Sequence, residues 1–246
     1  MKGTHVLGFA GVVLFSGLTG CSSAPDRPET VPDKGQALEK PFTANGNEPF
    51  WHVIVEPGQL VLERPGQPTE ELRYRTIEQS PTGHRFRASR EELVIELVTA
   101  PQLCRDSMTG MPHPFQARLV INGDRLSGCG GDPERLLMGI EWAVENIDGR
   151  GLVDKSRPTI EFLPNGTVAG MGSCNRYTGR WSLNGETLEV GPLASTRKAC
   201  EPPVMGQEDR FLRQLEATRG FDISPRGELL ISSDEGTVLR AARAGH

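Results

Sequence analysis

Asn-Gly pairs at Asn122-Gly123, Asn165-Gly166 and Asn184-Gly185 constrain this chain more than any other feature. A two-residue type I′ turn needs positive φ at both central positions, which Asn and Gly tolerate best. Placed between alternating apolar residues, such a pair commits its flanks to neighbouring antiparallel strands. The flanks fit. Phe115, Ala117, Leu119 and Ile121 share one face of an extended run, and residues 124–129 return after Gly123. Residues 158–163 face 167–170 across the second pair, and residues 175–181 face 187–190 across the third.

The same grammar covers the rest of the chain. Residues 51–55 stop at Pro57-Gly58 and residues 60–62 at Pro65-Gly66; runs follow at 72–77, 84–88 and 93–98. The pattern restarts at Trp142 and ends in short runs at 221–223, 229–231 and 237–239. Helical spacing occurs once, over 205–217, where Phe211, Leu212 and Leu215 form an apolar stripe. The expected class is α+β, mostly β. Two small antiparallel barrel-like or sandwich-like domains are predicted, the second carrying the single helix.

The N-terminus reads as an export signal. Lys2 gives a positive start, and residues 6–18 form an apolar run without charge. A bilayer core needs about 20 apolar residues, so the run suits a signal-peptide h-region better than a span. Leu18-Thr19-Gly20-Cys21 resembles the lipobox of bacterial lipoproteins, which implies cleavage before Cys21 and lipid on its sulfur. Ser22 stands where inner-membrane retention typically calls for Asp, so the outer membrane, facing the periplasm, is the expected address. The Pro-rich polar segment that follows reads as a tether. The expected organisation is a signal peptide (1–20), lipidated Cys21 with tether (21–41), a first β-rich domain (42–136) and a second (137–246).

A net charge of −5 argues against nucleic-acid binding, which would need a basic face to neutralise phosphates. Apart from Cys21, the cysteines are Cys104, Cys129, Cys174 and Cys200, two in each half. Export places them in an oxidising compartment, and the division into halves favours Cys104–Cys129 and Cys174–Cys200 among three connectivities. A zinc site is the rival reading, but no pair has close C-x₂₋₄-C spacing, so no metal is expected.

Trp142, Pro158-Thr159-Ile160-Glu161-Phe162, Gly166, Thr196, Ala199-Cys200 and Glu208-Asp209-Arg210-Phe211-Leu212 frame a more specific run, residues 170–179. That run reads Gly-Met-Gly-Ser-Cys-Asn-Arg-Tyr-Thr-Gly. Together they resemble the META domain, the family of the heat-shock protein HslJ, over residues 139–242. The usual Gly-Cys-Asn is Ser173-Cys174-Asn175 here. The first half is similar to a lipoprotein domain that often accompanies META. Its marks are residues 46–51 (Gly-Asn-Glu-Pro-Phe-Trp), 104–112 (Cys-Arg-Asp-Ser-Met-Thr-Gly-Met-Pro) and 128–131 (Gly-Cys-Gly-Gly). The resemblance implies a role in stress tolerance without an established catalytic activity.

The residues agree with that implication. His52, His84, His113 and His246 form no metal motif, and no nucleophile elbow, P-loop or dinucleotide fingerprint occurs. A small site of His113 with Asp106 is conceivable, but a solvated loop histidine is the plainer reading. Candidates for binding are Asn47, Glu48, Trp51, Asp106, Asn175 and Arg176, each with an architectural alternative as a turn or core residue. The expectation is a lipid-anchored, non-enzymatic envelope protein without a cofactor, acting on a protein partner. The alternative is a carrier with a small apolar ligand in a barrel cavity.

Overall fold

A computed structural model describes residues 41–245. The predicted signal peptide, Cys21, tether residues 22–40 and His246 lie outside the described residues.

The first half consists of β1 (Phe42–Asn47), β2 (Phe50–Glu56), β3 (Gln59–Glu63), β4 (Glu70–Ser80), β5 (Gly83–Arg90), β6 (Leu93–Ala100), β7 (Cys104–Arg105), β8 (Pro112–His113), β9 (Phe115–Ile121) and β10 (Asp124–Gly130). Eight of these strands close an antiparallel barrel in the order β1-β10-β9-β6-β5-β4-β3-β2. Closure occurs because β1 pairs on both sides, Ala44 with Gly130 of β10 and with Val53 of β2. Alternation sends Val53, Val55, Leu60, Leu62, Ile95, Leu97 and Leu119 inward, each fully buried. These side chains meet along the barrel axis in one hydrophobic core with Phe42, Trp51 and Phe86.

The strands β7 and β8 form a separate small hairpin, Cys104 opposite His113, inserted between β6 and β9. A short 3-10 helix, Pro133–Leu136, capped by the Asp132 carboxylate, leads into the second half.

The second half contains β11 (Glu141–Ile147), β12 (Thr159–Leu163), β13 (Thr167–Met171), β14 (Arg176–Asn184), β15 (Thr187–Val190), β16 (Ala194–Ser195), α1 (Pro202–Glu216), β17 (Gly220–Ile223), β18 (Leu229–Ser233) and β19 (Gly236–Arg243). The sheet runs β15-β14-β13-β12-β11-β19-β18-β17, with β16 beside β14. Its two ends approach each other, since Leu188 N–H donates to Arg219 O at 3.0 Å. Phe211 and Leu215 on α1 enter a core with Trp142, Phe162, Tyr177 and Trp181. Pro202 at the first helical position suits a site whose N–H would have no partner in the helix.

The three Asn-Gly pairs read as turns all join hairpins, whereas a fourth, Asn45-Gly46, lies within β1; only Asn122-Gly123 fills both central positions, at φ 49° and 100°. At the third pair Asn184 still belongs to β14 and faces Thr187, so Gly185-Glu186 makes the turn. At the second, Asn165 caps the turn through its side chain, accepting from Thr167 N–H at 3.0 Å.

Candidate functional site

The three sequence marks of the first half converge on one place. Along β1, Ala44 and Gly46 face the barrel interior while Asn45 and Asn47 face outward. On β10, Cys129 lies opposite Asn45 and faces outward too. The β7–β8 hairpin lies over this outer face and is stapled there by Cys104–Cys129, with Cα atoms 5.5 Å apart. Asp106 then accepts from Asn45 Nδ2 at 3.2 Å and from Asn47 Nδ2 at 3.0 Å. Its Oδ1 also takes the N–H groups of Met108 and Thr109, at 2.9 and 3.0 Å, and the Thr109 hydroxyl at 3.2 Å. Burial alone would push this carboxyl up. The bonds from Thr109, Asn47 and Met108 outweigh it and hold Asp106 below the ordinary carboxylate value.

Two glycines make the approach possible. A Cβ at Gly128 would stand 2.0 Å from Asn45 O and 2.6 Å from Trp51 Cζ2. One at Gly46 would stand 2.2 Å from Trp51 Nε1. The Trp51 indole thus lies across both glycines inside the barrel, 3% exposed, and its N–H finds no acceptor.

Beside this core of bonded groups runs an open groove around Phe50. Two adjoining hollows, about 610 and 400 Å³, share Asn47, Phe50, Arg64 and Pro65 as walls. Pro49 and Leu126 extend the apolar lining, and Glu48 lies at the margin. Phe50 is 52% exposed, unusual for so large an apolar side chain. A smaller cleft of about 170 Å³ opens directly on the Cys104–Cys129 bridge.

Asn175 and Arg176 lie in the other half and do not join this site. Cys174 is bonded to Cys200, at a Cα separation of 6.1 Å. Asn175 is buried and fully engaged. Its Nδ2 donates to Glu208 Oε1 at 2.8 Å, and its Oδ1 accepts from Lys198 N–H at 2.6 Å and from the Thr196 hydroxyl at 2.9 Å. Glu208, 3% exposed on α1, accepts the N–H groups of Cys174 and Asn175 at 2.8 and 2.6 Å. Neighbouring Gln207 accepts from Val153 N–H and donates to Ser156 and Ser173. These residues pin the 172–175 loop to the helix. Arg176 is exposed.

His113 does not meet Asp106; its Nδ1 lies 3.0 Å from Gly131 O. Among the described residues, no three His, Cys, Asp or Glu side chains are grouped to hold a metal ion. Sequence reading missed Asn45, Ser107 and Thr109 as members of the first cluster and Gln207 as a member of the second. A signal for the second did exist: Glu208 stands on the apolar stripe of the helix, three and seven residues before Phe211 and Leu215.

Residues 135–246 match the family model of the META domain. Among solved structures, this chain is similar to an NMR structure of a protein from Burkholderia xenovorans, at 24% identity and a TM-score of 0.39, over 46% of this chain and 86% of that one. A second protein structure determined by NMR is 24% identical with a TM-score of 0.37, over 45% of this chain and 94% of that one. The comparison with curated proteins gave no match.

Proposed function

From the match of residues 135–246 to the META domain, we propose that this chain is a non-catalytic envelope lipoprotein. It is anchored through Cys21 in the outer membrane, faces the periplasm and binds an extended segment of a protein partner in the groove around Phe50. The first half serves as the accompanying lipoprotein domain. The exposed Phe50 side chain carries the reading, because it stands between two open hollows walled by Pro65 and Arg64. An aromatic ring between prolines is a low-entropy contact surface for an extended peptide. Arg64 adds a cation that suits an acidic residue at its end. Asn47 holds the groove wall through its Nδ2, which donates to Asp106 and to Ser107 Oγ, while Asp106 also accepts the N–H groups of Met108 and Thr109.

The reading is tested in cells with a photo-crosslinking amino acid in place of Phe50, and with Ile77, equally exposed at 54%, as control position. A discrete adduct with one envelope protein from position 50, absent from position 77, is the expected result. Identical patterns from both positions would sink it. In parallel, Cys21→Ser should abolish incorporation of labelled fatty acid and leave an unprocessed precursor. Normal maturation of that variant refutes the anchor.

A further inference from the structure

We propose that the Cys104–Cys129 bridge is a site of thiol–disulfide exchange, and that its redox state sets how firmly the two halves of the molecule are coupled. The β7–β8 hairpin is the element that touches both. On one side it is tied to the barrel by the disulfide and by the bonds between Asp106 and Asn45 and Asn47. On the other, Arg105 reaches β17, donating to Ile223 O at 2.6 Å and pairing with Asp222 at 3.1 Å. Met111, at the far end of the hairpin, is 8% exposed and packed in the core of the second half, with Leu103 against the same core. A segment of about ten residues thus has one foot on the barrel's outer face and the other in the second core, and the disulfide is the covalent staple that ties it to the barrel.

That staple is reachable. The cleft of about 170 Å³ is lined by both Cys104 and Cys129 together with Asn47, Ser107 and Ser127. Cys129 is 3% exposed while Cys104 is half-buried, so an incoming thiolate meets the Cys104 sulfur first. The co-reactant is a dithiol. Its thiolate attacks Cys104 Sγ, the Cys104–Cys129 bond breaks, and Cys129 departs as a thiolate that takes a proton from water. The second thiol of the reagent, as its thiolate, displaces Cys104 from the mixed disulfide, and the Cys104 thiolate is protonated in turn. Two electrons pass to the protein pair, and the reagent leaves as a disulfide. The other bridge, Cys174–Cys200, joins two segments of the second half and so staples nothing to the barrel.

The full chain is titrated with dithiothreitol under native conditions, and free thiols are trapped with an alkylating label and mapped. Cys104 and Cys129 should label first while Cys174–Cys200 stays intact. Hydrogen exchange is followed in the same samples. The Asp106 and Gly110 amides, which close the hairpin by bonding Met111 O and Asp106 O, should exchange roughly thirtyfold faster or more after reduction. The β17 amides under Arg105 should speed up with them, and the far side of the second sheet should not. A full chain carrying Cys104→Ser and Cys129→Ser should show the same exchange pattern without reductant. Should that variant fail to fold, the titration of the wild-type chain decides alone. Prior opening of Cys174–Cys200, resistance of Cys104–Cys129 until global unfolding, or opening without any change at β17 would each overturn the proposal.

Discussion

Asp106 shows how much a single carboxylate can organise. Its five donors come from β1 and from its own loop, so protonation removes bonds on both sides at once. Its pKa in the folded chain lies below the ordinary value, so its stabilising contribution is complete above the unfolded-state pKa, about 4, and fades as pH falls through the lower folded value. Thermal melts between neutral pH and pH 3 should show Asp106→Asn losing less stability on acidification than the wild type. At neutral pH the same variant should be less stable by about 1–3 kcal/mol, since an amide N–H₂ would face donors. Equal acid sensitivity in the two proteins would show that Asp106 does not carry this dependence. Glu208 occupies the matching position in the second half. Glu208→Ala strands the N–H groups of Cys174 and Asn175 and the Asn175 amide, and should cost about 3–5 kcal/mol in urea melts. A loss below about 1 kcal/mol would mean that water replaces the carboxylate.

At the scale of elements, most of the fold was legible because period-two alternation and turn residues report directly on strands. The runs read at 84–88, 93–98 and 115–121 fall within β5, β6 and β9, and the run at 205–217 overlaps α1. What escaped was β1. Its sequence, Phe-Thr-Ala-Asn-Gly-Asn, has small residues at the inward positions after Phe42, and Asn45-Gly46 imitates a hairpin turn. Gly46 is needed in mid-strand for a reason that local pattern cannot show: Trp51 from β2 fills the space its side chain would take. The Phe50 groove was half visible for the same reason. Glu48 and Trp51 were singled out from the first mark, but Arg64 and Pro65 arrive only through the β2–β3 pairing. Gly128→Ala tests the close approach of β1 and β10. Its Cβ would collide with backbone, Asn45 O, and the barrel should lose about 3 kcal/mol or more in thermal melts. A variant as stable as wild type would mean that the two strands can separate without cost.

For the whole molecule, two cores and one hairpin that serves both determine how the parts depend on each other. Leu137 is fully buried in the second core and its carbonyl accepts from Trp142 Nε1 at 3.1 Å, so that core draws on residues ahead of β11. A fragment of residues 135–246 should fold and melt cooperatively, but below the second transition of the full chain, because it lacks Met111 and the Arg105 contacts. A fragment that melts at the same temperature would show the hairpin to be irrelevant to the second core.

The seam of the barrel has a consequence for where the chain's connections lie relative to the groove. Because β1 lies between β2 and β10, the chain enters the first half at Phe42 and leaves it at Gly130 on the same rim, with Ala44 and Gly130 side by side. Phe50 pairs with Asn47 at the opposite end of β1, five residues or about 17 Å along the strand from Phe42. A partner seated at Phe50 would therefore leave uncovered the rim by which the chain enters and leaves the barrel.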